Sequence, residues 1–116
     1  MAKFTLLLRD TGDHFAKLSP AEMQAIVARY AAWSTALRDA NNLAGSQKLR
    51  DGSGKLMRRS NDDIIVSDGP YAEGKEVIAG LFVLEVRSYD EAVAIAKGCP
   101  HLDFGTIEIR EVEIFR

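Results

Sequence analysis

Apolar side chains along the chain follow two different spacings, one typical of strands and one typical of helices. Residues 4–8 and 78–86 are nearly continuous apolar runs with the length of buried strands. Residues 106–115 alternate between apolar and charged positions, and a slip near Glu111 indicates a bulge. Shorter runs at 47–51, 55–60 and 64–66 predict more strands, the first two forming a hairpin around residues 52–54.

Two segments begin with the pattern Ser-x-x-Glu, which predicts a helix capped by reciprocal hydrogen bonds. In the first, Ser19 precedes Pro20 and Glu22, and the helix is expected to run to about Ala40. Its apolar face is predicted to be buried and comprises Met23, Ile26, Val27, Tyr30, Ser34 and Leu37. The second begins at Ser88 and buries Ala92, Ile95, Ala96 and Cys99.

The order strand, helix, two or three strands, helix, strand predicts an α+β domain. Each half has a β-α-β shape, which is the split βαβ or ferredoxin-like pattern, an antiparallel sheet with two helices on one face. With 116 residues, the chain is expected to be a single domain, residues 1–116. No third helix is available to cover the apolar positions of the last strand. We therefore expect a homodimer whose sheets pack face to face.

Composition narrows the possible partners. The formal net charge is −2 and the pI about 5.7, which argues against direct nucleic-acid binding and against a polybasic membrane surface. The single cysteine, Cys99, excludes an internal disulfide, and no signal peptide or membrane span is recognisable, so a cytoplasmic location is expected. Cys99, His101 and Asp103 do not have a known metal-ligand spacing. We interpret Cys99 as a core residue and His101 as a loop residue, and expect neither metal nor cofactor.

The candidate catalytic residues are Asp68 and His14. Asp68 opens a charged loop, residues 68–76, between two apolar strands, and charged loops on a rigid sheet often carry function. A purely structural turn is an equal alternative for this loop. His14 stands beside Asp10 and Asp13 and could act as a general base, although a solvated loop histidine is the simpler interpretation.

Six residues are candidates for substrate binding. Arg9 or Arg58 could hold an anionic group, whereas Tyr30 and Trp33 are neighbours on the first helix and could flank a flat ligand. Packing against the sheet or a partner is the alternative role for these two aromatic residues. Tyr71 and Lys75 belong to the charged loop.

The charged loop also carries a resemblance to a known family. The segment DGPYAEGKEVIAGLFVLEV resembles the signature of the YCII-related family, in the branch called DGPF-domain proteins. Tyr71 stands where the signature usually has phenylalanine. The helix start LSPAEMQ, the first strand with its loop, and the ending AKGCPHLDFGTIEIREV agree as well. The resemblance therefore covers nearly the whole chain and implies a dimeric α+β barrel.

The resemblance implies less about activity. Some members of this branch are described as transcription initiation proteins because relatives occur beside sigma factors. Smaller relatives resemble lyases or isomerases of ring compounds and use a His-Asp pair with the histidine on the first helix. This sequence has no histidine between Ser19 and Asn42. Asp39 could remain as the acidic partner, but it is equally a surface residue.

Three hypotheses follow. The first is a lyase or isomerase acting on a small cyclic or anionic metabolite. The second is a non-catalytic module that senses a ligand or binds a protein partner in sigma-factor regulation. The third is that Asp68 and its loop serve only the architecture.

Overall fold

The computed structural model describes residues 1–12, 15–69 and 76–114. The main elements in chain order are β1 (Ala2–Asp10), α1 (Pro20–Asp39), β2 (Leu43–Lys48), β3 (Lys55–Ser60), β4 (Asp63–Asp68), β5 (Val77–Val86), α2 (Tyr89–Ala96) and β6 (Thr106–Glu111). A short 3₁₀ helix (Pro100–Asp103) lies between α2 and β6. The main sheet is antiparallel in the order β2-β5-β1-β6, which is the ferredoxin-like order, with β3 and β4 inserted as a separate hairpin. The predicted α+β class, with two helices against an antiparallel sheet, is confirmed.

The cap predicted for α1 is present in full. The Glu22 amide donates to Ser19 Oγ at 3.1 Å, and the Ser19 amide donates to Glu22 Oε1 at 3.0 Å. At α2 only half of the predicted box forms. The Glu91 amide donates to Ser88 Oγ, but the Glu91 carboxylate accepts from the amide of Arg87 instead of Ser88. Local sequence therefore determines where both helices begin.

The hairpin predicted between residues 47–51 and 55–60 is wrong. β2 pairs with β5 at the edge of the main sheet, and β3 pairs with β4 through a turn in which Asn61 has a φ of 55°. Gly52 and Gly54, with φ angles of 70° and 145°, carry the chain from the main sheet to the hairpin. The glycines correctly predicted that the chain turns at residues 52–54, but they do not determine which strands pair.

The core lies between the helices and one face of the main sheet. On β1, Phe4, Leu6 and Leu8 alternate along the buried face, as the pleat of a strand requires. They pack with residues of β5, both helices and the segment after α2, namely Leu37, Leu84, Val86, Ala92, Ala96 and Cys99. This packing confirms Cys99 as a core residue.

The opposite face of the sheet, which we call the open face, is covered by no helix of the described chain. Its centre is formed by Leu7 of β1, opposite Leu81 of β5, and by the neighbouring Val83. The prediction that apolar residues of the last strand occupy this face is wrong, because Ile107 and Ile109 pack against the core. β6 ends at Glu111, where the sequence indicated a bulge.

Among the described residues, no helix combines the length and the apolar character needed to cross a membrane.

Candidate functional site

A cleft of about 410 Å³ opens between the first half of α1 and the main sheet. The predicted buried face of α1 lines this cleft at Met23, Ile26 and Val27, and Val27 remains 58% exposed. Leu37, near the end of α1, is the residue of that helix that is buried in the core, and Tyr30 and Trp33 pack partly buried against it. The face predicted as core is therefore mostly a cleft wall. The remaining walls come from the sheet and its loops, namely Leu8, Phe15, Ser46, Gln47, Lys48, Asp51, Ala79, Gly80 and Phe82.

A carboxylate lies at the buried end of the cleft. Asp10 is the last residue of β1 and continues the alternation of Phe4, Leu6 and Leu8, so its side chain points to the helix side of the sheet. It is only 4% exposed. Its Oδ2 atom is buried and has no hydrogen-bond partner among the described residues. Burying an unpartnered carboxylate oxygen costs folding free energy, so this placement favours a functional role.

His101 lies beside Asp10 because the 3₁₀ helix turns the chain back towards the end of β1. The residue is 2% exposed. Its Nε2 atom is 2.9 Å from the backbone oxygen of Arg9, and its Nδ1 atom is 2.9 Å from the hydroxyl of Tyr30. A carbonyl can only accept, so Nε2 carries a proton and donates it to Arg9. Asp10 Oδ2 is 3.9 Å from the same Nε2 atom.

Tyr30 completes the polar group at this end. Burial raises the pKa of the Tyr30 hydroxyl above its usual value, and the nearby charges of the Cys99 thiolate form and of Asp10 act in the same direction. The hydroxyl therefore keeps its proton and is the hydrogen-bond partner of His101 Nδ1. We refer to Asp10, His101 and Tyr30 as the polar cluster.

Gly105 allows the polar cluster to form. A Cβ atom at this position would lie 2.0 Å from the Arg9 backbone oxygen, 2.9 Å from His101 Nε2 and 3.0 Å from the Asp10 Cβ. The first two distances are shorter than real Cβ contacts and the third is tighter than most of them, so only glycine lets the chain before β6 approach the end of β1 this closely.

One atom of the polar cluster has no hydrogen-bond partner among the described residues. Both ring nitrogens of His101 and the hydroxyl of Tyr30 have partners, whereas Asp10, which lines the apolar cleft, has a buried Oδ2 atom without a partner in the part of the chain that the structure describes. A carboxylate in this setting can accept a proton or a hydrogen bond from a bound molecule.

Of the predicted site residues, Tyr30 lies at the cleft and several others do not. The Arg9 side chain points to the open face, where its Nη1 atom is 2.9 Å from Glu108 Oε1 and its Nε atom is 3.9 Å from Glu76 Oε2. Arg58 and Asp68 lie on the β3–β4 hairpin, and the exposed Asp68 carboxylate is paired with Lys55.

Trp33 packs edge-on against Phe82 with ring centroids 4.9 Å apart, and its Nε1 atom donates to the Ile95 oxygen. Packing against the sheet, the alternative role, is thus the one observed for Trp33. His14, Tyr71 and Lys75 fall outside the described residues. Their roles, and a catalytic role for Asp68, stay predictions.

The interpretation of His101 as a loop residue is wrong, because the side chain is buried in the polar cluster. Its alternating neighbours do not form a metal site with it. Burial raises the pKa of the Cys99 thiol, and Asp103 pairs instead with Arg29 at 2.7 Å. Within residues 1–12, 15–69 and 76–114, no group of three or more metal-ligating side chains comes together.

Comparison with known proteins gives three findings. The sequence profile of the YCII-related domain matches residues 2–116. An uncharacterised protein of Rhizobium meliloti (strain 1021), R00369, is 32% identical over 62 residues, which are 52% of this chain and 50% of that protein. The match thus spans about half of this curated relative. Among solved structures, 5-chloro-2-hydroxyhydroquinone dehydrochlorinase from Burkholderia phenoliruptrix AC1100, in complex with 2,5-dihydroxybenzoquinone, aligns over 96% of this chain and 93% of its own, with 14% identity and a TM-score of 0.48.

Proposed function

The chain belongs to the YCII-related domain family, and we propose that it is a lyase or isomerase that acts on a small cyclic or anionic metabolite in the cleft. The observation that carries the proposal is the buried, unpartnered Oδ2 atom of Asp10 at the end of an apolar cleft. We further propose that the chain belongs to the DGPF branch of the family, because residues 68–76 resemble the signature of that branch. A cytoplasmic location stays a prediction of the sequence.

The proposed chemistry needs one carboxylate. Asp10 takes a proton from the bound substrate as a general base, and the electron pair left behind expels a leaving group from the adjacent atom or shifts along the substrate. In an isomerisation the same carboxylic acid returns the proton at a second position. Neither route requires an oxidant or a reductant. Tyr30 and His101 hold each other in place, and the apolar walls exclude water from the reacting atoms.

The test compares the same substitution, aspartate to asparagine, at positions 10 and 68. Ligands are first found by thermal-shift screening of a metabolite panel, and hits are then assayed for product formation and for exchange of substrate hydrogen with deuterated water. We expect Asp10→Asn to lower turnover by about 10²- to 10⁴-fold, the usual contribution of a general base.

Asp68→Asn is the control, because Asp68 is exposed on the β3–β4 hairpin. It is expected to leave turnover within twofold of the wild type. The opposite pattern, with loss only in Asp68→Asn, would return the catalytic role to the charged loop. Ligand binding without turnover or hydrogen exchange would favour the alternative, a non-catalytic sensing or interaction module.

We also propose that the protein is a homodimer through the open face. The accessible surface is 8318 Å², about 2,000 Å² more than expected for a compact monomer of 12.8 kDa. The radius of gyration is 16.3 Å, whereas a compact chain of this length has about 13 Å. An excess of this size is in the range that a stable dimer buries. Apolar hairpin residues contribute to it, with exposures of 36% to 70% for Leu56, Met57, Ile64, Ile65 and Val66.

Light scattering during gel filtration tests this proposal. Wild-type protein is expected at twice the chain mass of 12.8 kDa. Leu81→Glu places a charge at the centre of the open face and is expected to give monomers. Val93→Glu is the control, since Val93 is 40% exposed on α2, on the other side of the sheet. A monomeric wild type, or equal behaviour of the two variants, would contradict an interface at the open face.

A further inference from the structure

The buried end of the cleft is selective for one kind of chemical group. We propose that it takes a hydrogen-bond donor, a hydroxyl or an N–H group, on a small and mainly apolar ligand, and that it rejects a carboxylate or phosphate. This inference rests on the proposed function, because it concerns the same cleft and narrows the class of substrate.

Donors and acceptors are not balanced in the polar cluster. Both ring nitrogens of His101 have partners, because Nε2 donates to the Arg9 oxygen and Nδ1 lies 2.9 Å from the Tyr30 hydroxyl. Asp10 lines the cleft, and its Oδ2 atom accepts no hydrogen bond from any described residue. The cluster therefore contains an acceptor, Asp10 Oδ2, that lacks a donor. A ligand that ends in a donor satisfies it, and a ligand that ends in another acceptor leaves both groups unpaired.

The charges around the cleft also favour a neutral donor over an anion. Arg9 precedes Asp10 in the sequence, but its side chain lies on the open face with Glu108 and Glu76 and does not enter the cleft. Lys48 lines the cleft, yet its ammonium group contacts the Leu49 oxygen and Asp51, far from β1 on the edge strand β2. An anionic group at the buried end would meet the Asp10 carboxylate in an apolar setting, with neither Arg9 nor Lys48 placed to offset the repulsion.

The walls and the volume of the cleft determine what the rest of the ligand can be. The walls beyond the polar cluster are aliphatic and aromatic, formed by Leu8, Phe15, Met23, Ile26 and Phe82. The volume of about 410 Å³ lies within the range of small-molecule sites. Such walls hold a ring or a short branched chain by burial of apolar surface, whereas the polar cluster fixes its orientation.

Three probes that share one ring separate these alternatives: phenol with a donor, toluene with none, and benzoate with an anion. Each is titrated into the full-length protein at neutral pH, and dissociation constants are taken from methyl signals of Met23 and Ile26 in NMR spectra. We expect phenol to bind about tenfold or more tightly than toluene, the usual gain from a hydrogen bond to a charged group, and benzoate to bind no more tightly than toluene.

Asp10→Asn tests whether the preference belongs to this carboxylate. The amide removes the negative charge and adds an N–H donor, so phenol should lose most of its advantage and benzoate should gain affinity by about tenfold. Asp63→Asn, at an exposed position of the β3–β4 hairpin, is expected to leave the order of the three probes unchanged.

Each other outcome is decisive. Tightest binding of benzoate, or equal binding of phenol and toluene, would overturn the selectivity and keep the cleft as a ligand site. The absence of any shift at Met23 and Ile26 with all three probes would contradict the selectivity and the proposed function together. Failure of the proposed function alone would appear as unchanged turnover in Asp10→Asn while the phenol preference persists.

Discussion

The Gly105→Ala variant is expected to unfold with a free energy about 3 kcal/mol lower than the wild type, because overpacking against a rigid backbone costs this much. The added Cβ would lie 2.0 Å from the Arg9 oxygen. A backbone atom cannot turn aside as a flexible side chain can, so the end of β1 or the 3₁₀ helix must move. That movement would separate His101 Nε2 from the Arg9 oxygen, which are 2.9 Å apart.

Urea denaturation measures the stability, and nitrogen chemical shifts of His101 report whether Nε2 still carries the ring proton. Gly45→Ala is the matched control, since a Cβ on Gly45 in β2 would meet no atom within 4 Å. It should change the stability by less than about 0.5 kcal/mol and leave His101 unaffected. Equal losses in both variants would mean that Gly105 acts through chain flexibility and not through close packing.

Asp10→Leu is expected to have the opposite effect on stability, raising the free energy of unfolding by about 1–2 kcal/mol, because the buried carboxylate oxygen lacks a partner. The same substitution should abolish turnover and the preference for phenol. A gain in stability together with a loss of activity is the mark of a residue kept for function at a cost to the fold.

Thermal unfolding and urea denaturation at neutral pH test this trade-off. Asp68→Leu is the control, because an exposed ion pair such as that of Asp68 with Lys55 contributes little, and a change within about 0.5 kcal/mol is expected. Marked destabilisation by Asp10→Leu would assign the carboxylate to the architecture and would remove the main support for the proposed function.

Much of the fold follows from local signals in the sequence. Ser19, Pro20 and Glu22 determine the start of α1 through bonds within one turn, so the prediction of that helix needs no knowledge of the rest of the chain. Strand pairing is different. β2 could pair with either of two later strands, and the choice depends on burial against the helices, which the glycines at 52 and 54 do not encode.

The site was predicted less well than the fold. Asp10 and His101 are 91 positions apart, and although both lie in segments that resemble the family, the resemblance gave neither of them a role. One signal was available for Asp10, since it extends the two-residue alternation of Phe4, Leu6 and Leu8 by one step. The same alternation sends Arg9 to the other face. In the sequence, Arg9 and Asp10 together are interpreted as the charged end of the strand. This interpretation misses that Asp10 occupies a position on the buried face.

The reactive group of the cleft and the side chains that give the cleft its shape come from different parts of the chain. Asp10 and His101 are held by β1 and the 3₁₀ helix. Changes in the packing of these two elements would disturb the core. One wall belongs to the first half of α1, where Met23, Ile26 and Val27 contribute little to the core. Substitutions in this wall can alter which molecules fit at small cost to folding. Evolution, or a designer, can therefore give this scaffold new ligands while its acid-base group stays in place.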